Sequence, residues 1–381
     1  MHVIPPSATP RRILLVADCI GGVWQYSVEL AAGLAADGIE TALAIAGPPP
    51  KPAQRAEAEA IPGLRLHLLQ AGLDWQAQDD RSLAPLRAKL VGLANDTDVD
   101  LVHLNGAALA DLPVAQPVVA TQHSCLATWW QATRPGEPLP QTWRWHRARM
   151  AAGLAAAAAV IAPSAAFADQ LRLAYGPQIA FDVVHNGRTQ RSRRVAPRRM
   201  AAVLTAGRLW DEAKNVRTLD AAAAGIRWPV LAAGPTRGPD GQEVRLGHVV
   251  ALGTLDGDAL EDRMRRSPVF ASLAVYEPFG LAVLEAALAG CALVLSDTAT
   301  FRELWHDAAL FVPADDPAAA RDAVNRLVAD SDRSLRLGAW ARSRAIGYSA
   351  EACVRGTLAV YRRVLQQAAS PPQTRRLQAA G

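Results

Sequence analysis

The chain has 381 residues, half of them hydrophobic and a fifth charged, which argues against disorder and requires more than one hydrophobic core. No apolar run reaches the roughly 18–20 residues of a bilayer span, and four scattered cysteines, Cys19, Cys125, Cys291 and Cys353, with no Cys-x-x-Cys, argue against a disulfide framework or zinc cluster and read as buried thiols. The formal charge is +4, with 14 basic and 16 acidic side chains in residues 1–190 against 26 and 20 in 191–381; even the Arg191–Arg199 cluster lacks interleaved aromatics, so no nucleic acid partner is expected.

The N-terminal MHVIPPSATPRR carries its arginines after its apolar residues, the reverse of a secretory leader, so a cytoplasmic location is expected. Short β-branched apolar runs then recur with alanine- and leucine-rich amphipathic stretches between them, the alternation of parallel strands and crossover helices. In the first half the predicted strands are 13–17, 41–46, 64–69, 101–104, 118–121, 160–162 and 181–184. In the second half they are 202–205, 230–233, 249–252, 269–273, 292–295 and 310–312. The pattern predicts an α/β protein with two Rossmann-like, doubly wound parallel-sheet domains facing across a cleft. A seam is expected over 186–199, where Asn-Gly supplies a turn and periodicity is lost. From Pro317 onward the pattern is helical, broken at Gly347 before a last helix over 350–365, and SPPQTRRLQAAG reads as a tail.

Open parallel sheets bind ligands beyond the carboxyl ends of their strands, and three motifs fall there. Asp18-Cys19-Ile20-Gly21-Gly22 follows the first strand; its glycines allow a close ligand approach and leave helix N–H groups to an anion, or form a plain tight turn. It is neither Gly-x-Gly-x-x-Gly nor a Walker loop, which makes NAD-dependent chemistry remote. Gly207-Arg208 and Lys214-Asn215 bracket a strand-to-helix loop whose two cations could pinch a diphosphate, against the alternative of a solvated loop. The most specific motif is Glu277-Pro278-Phe279-Gly280-Leu281, with Glu285 inside the helix that follows. Its Phe279, Gly280 and Leu281 amides are helix-start donors suited to a phosphate or a developing anion, the alternative being a cap with a surface glutamate.

With these residues in place, the chain resembles glycosyltransferase family 4, the retaining nucleotide-sugar transferases of the GT-B fold. The likeness is diffuse over 11–190 and closest over 200–365. It rests on Gly21-Gly22, His123 in Thr-Gln-His-Ser, His185-Asn186-Gly187, Gly207-Arg208 with Lys214-Asn215, and the Glu277 to Glu285 spacing. The resemblance implies an acceptor-binding domain over 1–190 and a nucleotide-sugar-binding domain over 191–347. A C-terminal helix over 348–368 is expected to return to the first domain, ahead of a tail over 369–381. It further implies that Arg208 and Lys214 hold the donor diphosphate, that Glu285 binds ribose hydroxyls, and that Glu277 lies beside the transferred sugar with the Phe279–Leu281 backbone. Gly21 and Gly22 would approach the phosphate from the first domain and His123 would touch the donor sugar, with Glu277 and His123 closest to the chemistry. No cofactor is expected beyond the donor itself, and no metal. Asp297-Thr-Ala-Thr-Phe-Arg-Glu lacks the glycines common in relatives, which leaves the sugar pocket's shape open.

The Asp-x-Asp sequences at Asp96 to Asp100, Asp256 to Asp258 and Asp330 to Asp332 read as turns or caps, not as metal ligands. Trp129, Trp130, Trp143 and Trp145 share a stretch with four arginines and suit a glycan or lipid-linked acceptor, a peripheral contact with the inner membrane face, or simple packing. The expected activity is therefore metal-independent sugar transfer in making a bacterial surface polysaccharide or glycoconjugate. A GT-B-fold nucleotide-sugar epimerase and a non-catalytic partner subunit are the alternatives.

Overall fold

Each of the thirteen apolar runs forms a strand in the computed structural model, which describes residues 9–189, 199–239 and 241–369. Most of the Arg191–Arg199 cluster and the tail from residue 370 lie outside the described residues. The first sheet contains β1 (Arg12–Ala17), β2 (Glu40–Ile45), β3 (Leu64–Leu68), β4 (Leu101–Leu104), β5 (Val118–Thr121), β6 (Ala159–Ala162) and β7 (Asp182–Val183). The second contains β8 (Val203–Ala206), β9 (Val230–Ala233), β10 (Val250–Gly253), β11 (Val269–Ser272), β12 (Ala292–Ser296) and β13 (Ala309–Val312). Their orders are β3-β2-β1-β4-β5-β6-β7 and β10-β9-β8-β11-β12-β13, with parallel pairing throughout. Both are doubly wound: the order reverses between β1 and β4 and again between β8 and β11.

The continuous apolar character of β1, β4, β5 and β12 follows from burial on both faces. Along β1, Leu14 and Val16 enter one core while Ile13 and Leu15 enter the other, on the opposite side of the sheet. Each such side chain contributes about 1.5–3 kcal/mol when removed from water. The second core is completed from far along the chain, because the Ala350–Ala369 helix lays Val354, Leu358 and Tyr361 against it. Gly33 on the Gly22–Ala36 helix permits this approach, since a Cβ there would stand 2.4 Å from a Val354 methyl. Similarly, a Cβ on Gly187 would meet the Ser349 carbonyl oxygen at 2.0 Å, so the glycine of His-Asn-Gly lets the segment after β7 pass close to the backbone at the start of the last helix.

A buried polar chain pins that helix. His103 on β4 sets Nδ1 against the Tyr361 hydroxyl and Nε2 2.8 Å from Thr121 Oγ1, which lies 3.2 Å from the Tyr26 hydroxyl. Cys125, Cys291 and Cys353 are buried and Cys19 is half-buried, all as free thiols.

Removing the hydroxyl in Tyr361→Phe strands a buried ring nitrogen, at a cost of about 1–3 kcal/mol. A Tm lowered by several degrees is the expected result in thermal unfolding, and an unchanged Tm would show that the helix is held by apolar contacts alone.

Candidate functional site

The loops beyond β1, β5, β8 and β11 face one another across a cleft of about 1160 Å³. Gly21, Gly22 and His123 line it from the first sheet's side, and Arg208, Lys214, Glu277, Phe279, Gly280, Leu281 and Glu285 from the second. The structure thus brings the ten residues given a donor-site role into one place, without His185, Asn215 or the four tryptophans, and the Phe279 ring is buried in the core.

On the second side, Asp211 accepts from Arg208 Nη2 at 2.8 Å and caps the short turn Glu212–Lys214 through the Ala213 amide at 3.0 Å. Asn215 adopts the left-handed conformation (φ 50°), which asparagine tolerates, and donates to the Leu273 and Ala314 carbonyls at 2.9 and 2.7 Å. This side chain ties the cation-bearing loop to the ends of β11 and β13. Lys214 Nζ then meets Glu277 Oε2 at 2.5 Å. Gly280 is also left-handed (φ 94°), turning the chain sharply into the Leu281–Leu288 helix, whose start has no side-chain cap. Its first N–H groups are therefore directed to the cleft end of the helix, where the macrodipole favours an anion.

On the first side, a Cβ on Gly22 would lie 2.9 Å from a Leu281 methyl across the cleft, so a larger residue there would have to displace the Leu281 side chain. Half-buried His123 stacks edge-on with Tyr26 at 4.4 Å and places Nε2 2.9 Å from Asn105 Oδ1. The Asn105 amide nitrogen already donates to Val16 O and Ser27 Oγ, so its oxygen must accept. His123 therefore carries its proton on Nε2 and keeps Nδ1 as an acceptor, suited to a sugar hydroxyl. Desolvation pushes its pKa down to about 3, and likewise that of His103 beneath it. Asp18 at the end of β1, given no role by sequence, is raised to about 6: burial and the nearby Asp74 outweigh the Ile20 amide and Arg208.

Sequence reasoning also missed Arg188. Its guanidinium lies between two carboxylates, Glu29 Oε1 at 2.8 Å and Glu285 Oε1 at 2.6 Å, so Glu285 is held by a cation and is not open as its small neighbours suggest. Only its place directly after His185-Asn186-Gly187 set it apart from the other arginines. The tryptophan segment is half-buried, not an exposed aromatic face: Trp143 meets Trp129 and Trp130 edge-on at 6.4 and 5.3 Å, and Trp129 Nε1 donates to Asp211 Oδ1 at 3.0 Å. Among the Asp-x-Asp sequences, Asp256 and Asp330 cap helices, and Asp100 accepts from the Arg11 and Arg12 amides. No group of three His, Cys, Asp or Glu side chains is placed to hold a metal among the described residues.

Two outcomes are expected. Arg188→Ala leaves two partly buried carboxylates uncompensated and should cost roughly 3 kcal/mol; an unchanged Tm would mean that solvent screens them fully. His103 and His123 stay neutral when folded but titrate near 6.5 when unfolded, so the unfolded chain takes up protons first. Their contribution to stability is present above pH 6.5 and is lost as the pH falls toward 3. NMR should show neither ring titrating between pH 8 and about 4, and titration near 6.5 would refute this.

The description Glycosyltransferase Family 4 matches residues 20–189, and Glycosyl transferases group 1 matches residues 201–330. No curated protein sequence matches the chain. Among solved structures, sucrose-phosphate synthase from Thermosynechococcus elongatus superposes with a TM-score of 0.78 at 22% identity, over 94% of this chain and 100% of that one. HepE from Anabaena, solved with UDP and glucose, gives 0.70 at 19% identity, over 91% and 97%. A glycosyltransferase from Rickettsia africae gives 0.68 at 14% identity, over 93% and 98%. Matched in both halves and sharing the two-sheet architecture of these structures, the chain belongs to the family 4-like glycosyltransferases of the GT-B fold.

Proposed function

We propose that this glycosyltransferase moves a sugar from a nucleoside-diphosphate sugar to a glycan or lipid-linked acceptor, with retention of configuration and without a metal. The observation that carries this reading is the placing of Arg208 and Lys214, each held by a carboxylate, beside an uncapped helix start in the cleft. Lysine has three donors and arginine five, so each keeps donors for phosphate oxygens after satisfying Asp211 or Glu277. As the bond from the anomeric carbon to the leaving phosphate oxygen breaks, negative charge gathers on the diphosphate. Fixed cations and helix N–H groups stabilise that charge without reorganising. The sugar's positive charge develops beside Glu277, whose carboxylate is partly balanced by Lys214 before the donor arrives. An acceptor hydroxyl attacks from the same face and its proton passes to the leaving phosphate, so no separate base is needed. Glu285 receives the ribose hydroxyls, and His123 accepts from a sugar hydroxyl.

Uridine donors are the first to test, because HepE is solved with UDP and glucose. The acceptor is read as entering along the first-sheet wall beside the tryptophan segment. A surface-polysaccharide or glycoconjugate role, and the cytoplasmic or peripheral location that goes with it, rest on the family resemblance. No helix among the described residues is long and apolar enough to cross a membrane.

Thermal unfolding against UDP-, GDP-, ADP-, dTDP- and CMP-sugars in EDTA tests the donor site. A ligand at 100 times its Kd adds about 2.7 kcal/mol, so one nucleoside-diphosphate class should raise the Tm and the CMP-sugar, which has no diphosphate, should not. Lys214→Ala and Glu285→Ala should each weaken that binding roughly 10- to 100-fold, the worth of a hydrogen bond to a charged group. Glu277→Gln should bind donor but lose turnover. No shift with any donor, or full turnover in all three variants, would sink the assignment.

A further inference from the structure

Asp211 is a nearly fully buried carboxylate, 5% exposed, whose partners are donors of three different kinds. Its Oδ2 takes Arg208 Nη2 at 2.8 Å, and its Oδ1 takes both the Ala213 amide and the Trp129 indole N–H at 3.0 Å. Burial pushes its carboxyl upward, but Arg208, Trp129, Lys214 and the Ala213 amide outweigh this and hold it below the usual carboxylate range. A buried anion of this kind has a fixed plane, and that plane aims the guanidinium it binds. Arg208 itself is 44% exposed and lines the cleft, with its guanidinium 5.8 Å over the Trp210 ring, so Asp211 supplies the hydrogen bond that directs it.

Trp129 comes from the other wall. Its helix, Leu126–Thr133, hangs from the first sheet and also grips the glutamate motif: the Cys125 amide donates to the Tyr276 hydroxyl at 2.9 Å, and Thr128 Oγ1 lies 2.9 Å from the same oxygen, one residue before Glu277. Arg134, just past the helix, pairs with Glu212 beside Asp211. Both donor-side loops are therefore clasped by one helix of the facing domain.

We propose that Trp129 is a positioning residue for the donor diphosphate, acting through Asp211 on Arg208. The inference rests on the donor-site reading above. It makes the diphosphate clamp complete only when the two walls meet as they do here, since parting them would withdraw one of the donors that orient Asp211.

Trp129→Phe keeps an aromatic ring against Trp143 and removes the N–H together with part of the indole, so Tm is read beside affinity to separate lost packing from the lost hydrogen bond. Calorimetric titration with UDP, GDP, ADP and dTDP, together with Tm, is the test. The wild type should bind at least one of the four, and Trp129→Phe should weaken that binding by about tenfold, as for loss of one hydrogen bond to a charged group, with little change in Tm. In an Asp211→Ala background the same substitution should have no further effect, because its route has been removed. Unchanged nucleotide affinity in Trp129→Phe, a loss of Tm without a loss of affinity, or an additive loss in the double variant would each overturn the proposal. A wild type that binds none of the four overturns the donor-site reading itself, and the positioning role falls with it.

Discussion

Parallel pairing is the constraint on which this molecule depends. Because all strands of a sheet run the same way, every strand-to-helix loop of each sheet emerges at one end, and charged side chains can gather there without entering a core. Two such ends face each other here, so the cleft collects loops from four strands spread along the chain, β1 ending at Ala17 and β11 beginning at Val269. The apolar strands behind them are buried and rigid, which lets short loops hold Lys214 against Glu277 and Asp211 against Arg208. Catalysis by fixed charge requires this rigidity, because dipoles that must turn during the reaction lose much of their value.

The two walls meet through an apolar cluster, in which Cys125 and Phe167 pack with Ala213 and Tyr276, and through specific polar contacts. Glu303 accepts from the Ala165 and Ala166 amides at 2.9 and 2.7 Å and from His185 at 3.2 Å, so a carboxylate of the second domain caps a helix of the first. Ser164 donates to the Pro278 carbonyl at 2.7 Å, next to the glutamate motif. Arg188 adds its two carboxylates at the far side of the cleft. Ionic and polar contacts of this kind contribute little net energy once desolvation is counted, but their geometry is strict. They fix the angle at which the walls meet and leave that angle open to change by ligands that compete for the same groups. Glu285 illustrates this, since the ribose hydroxyls assigned to it would share it with Arg188.

The strand positions were legible because parallel strands buried on both faces read as unbroken β-branched runs, and all thirteen lie within a residue or two of their expected places. The Glu277 to Glu285 motif was legible because proline and glycine before an alanine-rich helix leave few conformations for that segment. Arg188 and Trp129 were not legible in their roles. An arginine among 37 and a tryptophan in an aromatic stretch carry no local sign of their partners, which lie 97 and 82 residues further along the chain.

The sequence by itself determined the two doubly wound sheets and which loops carry charge at their strand ends, since hydrophobic period and turn chemistry are properties of neighbouring residues. Only the tertiary structure decided how those charges are paired and aimed. Whether Glu285 meets a cation, which tautomer His123 adopts and what orients Arg208 depend on side chains brought together by the packing of two domains, and pairings of that range leave no periodic trace in the chain.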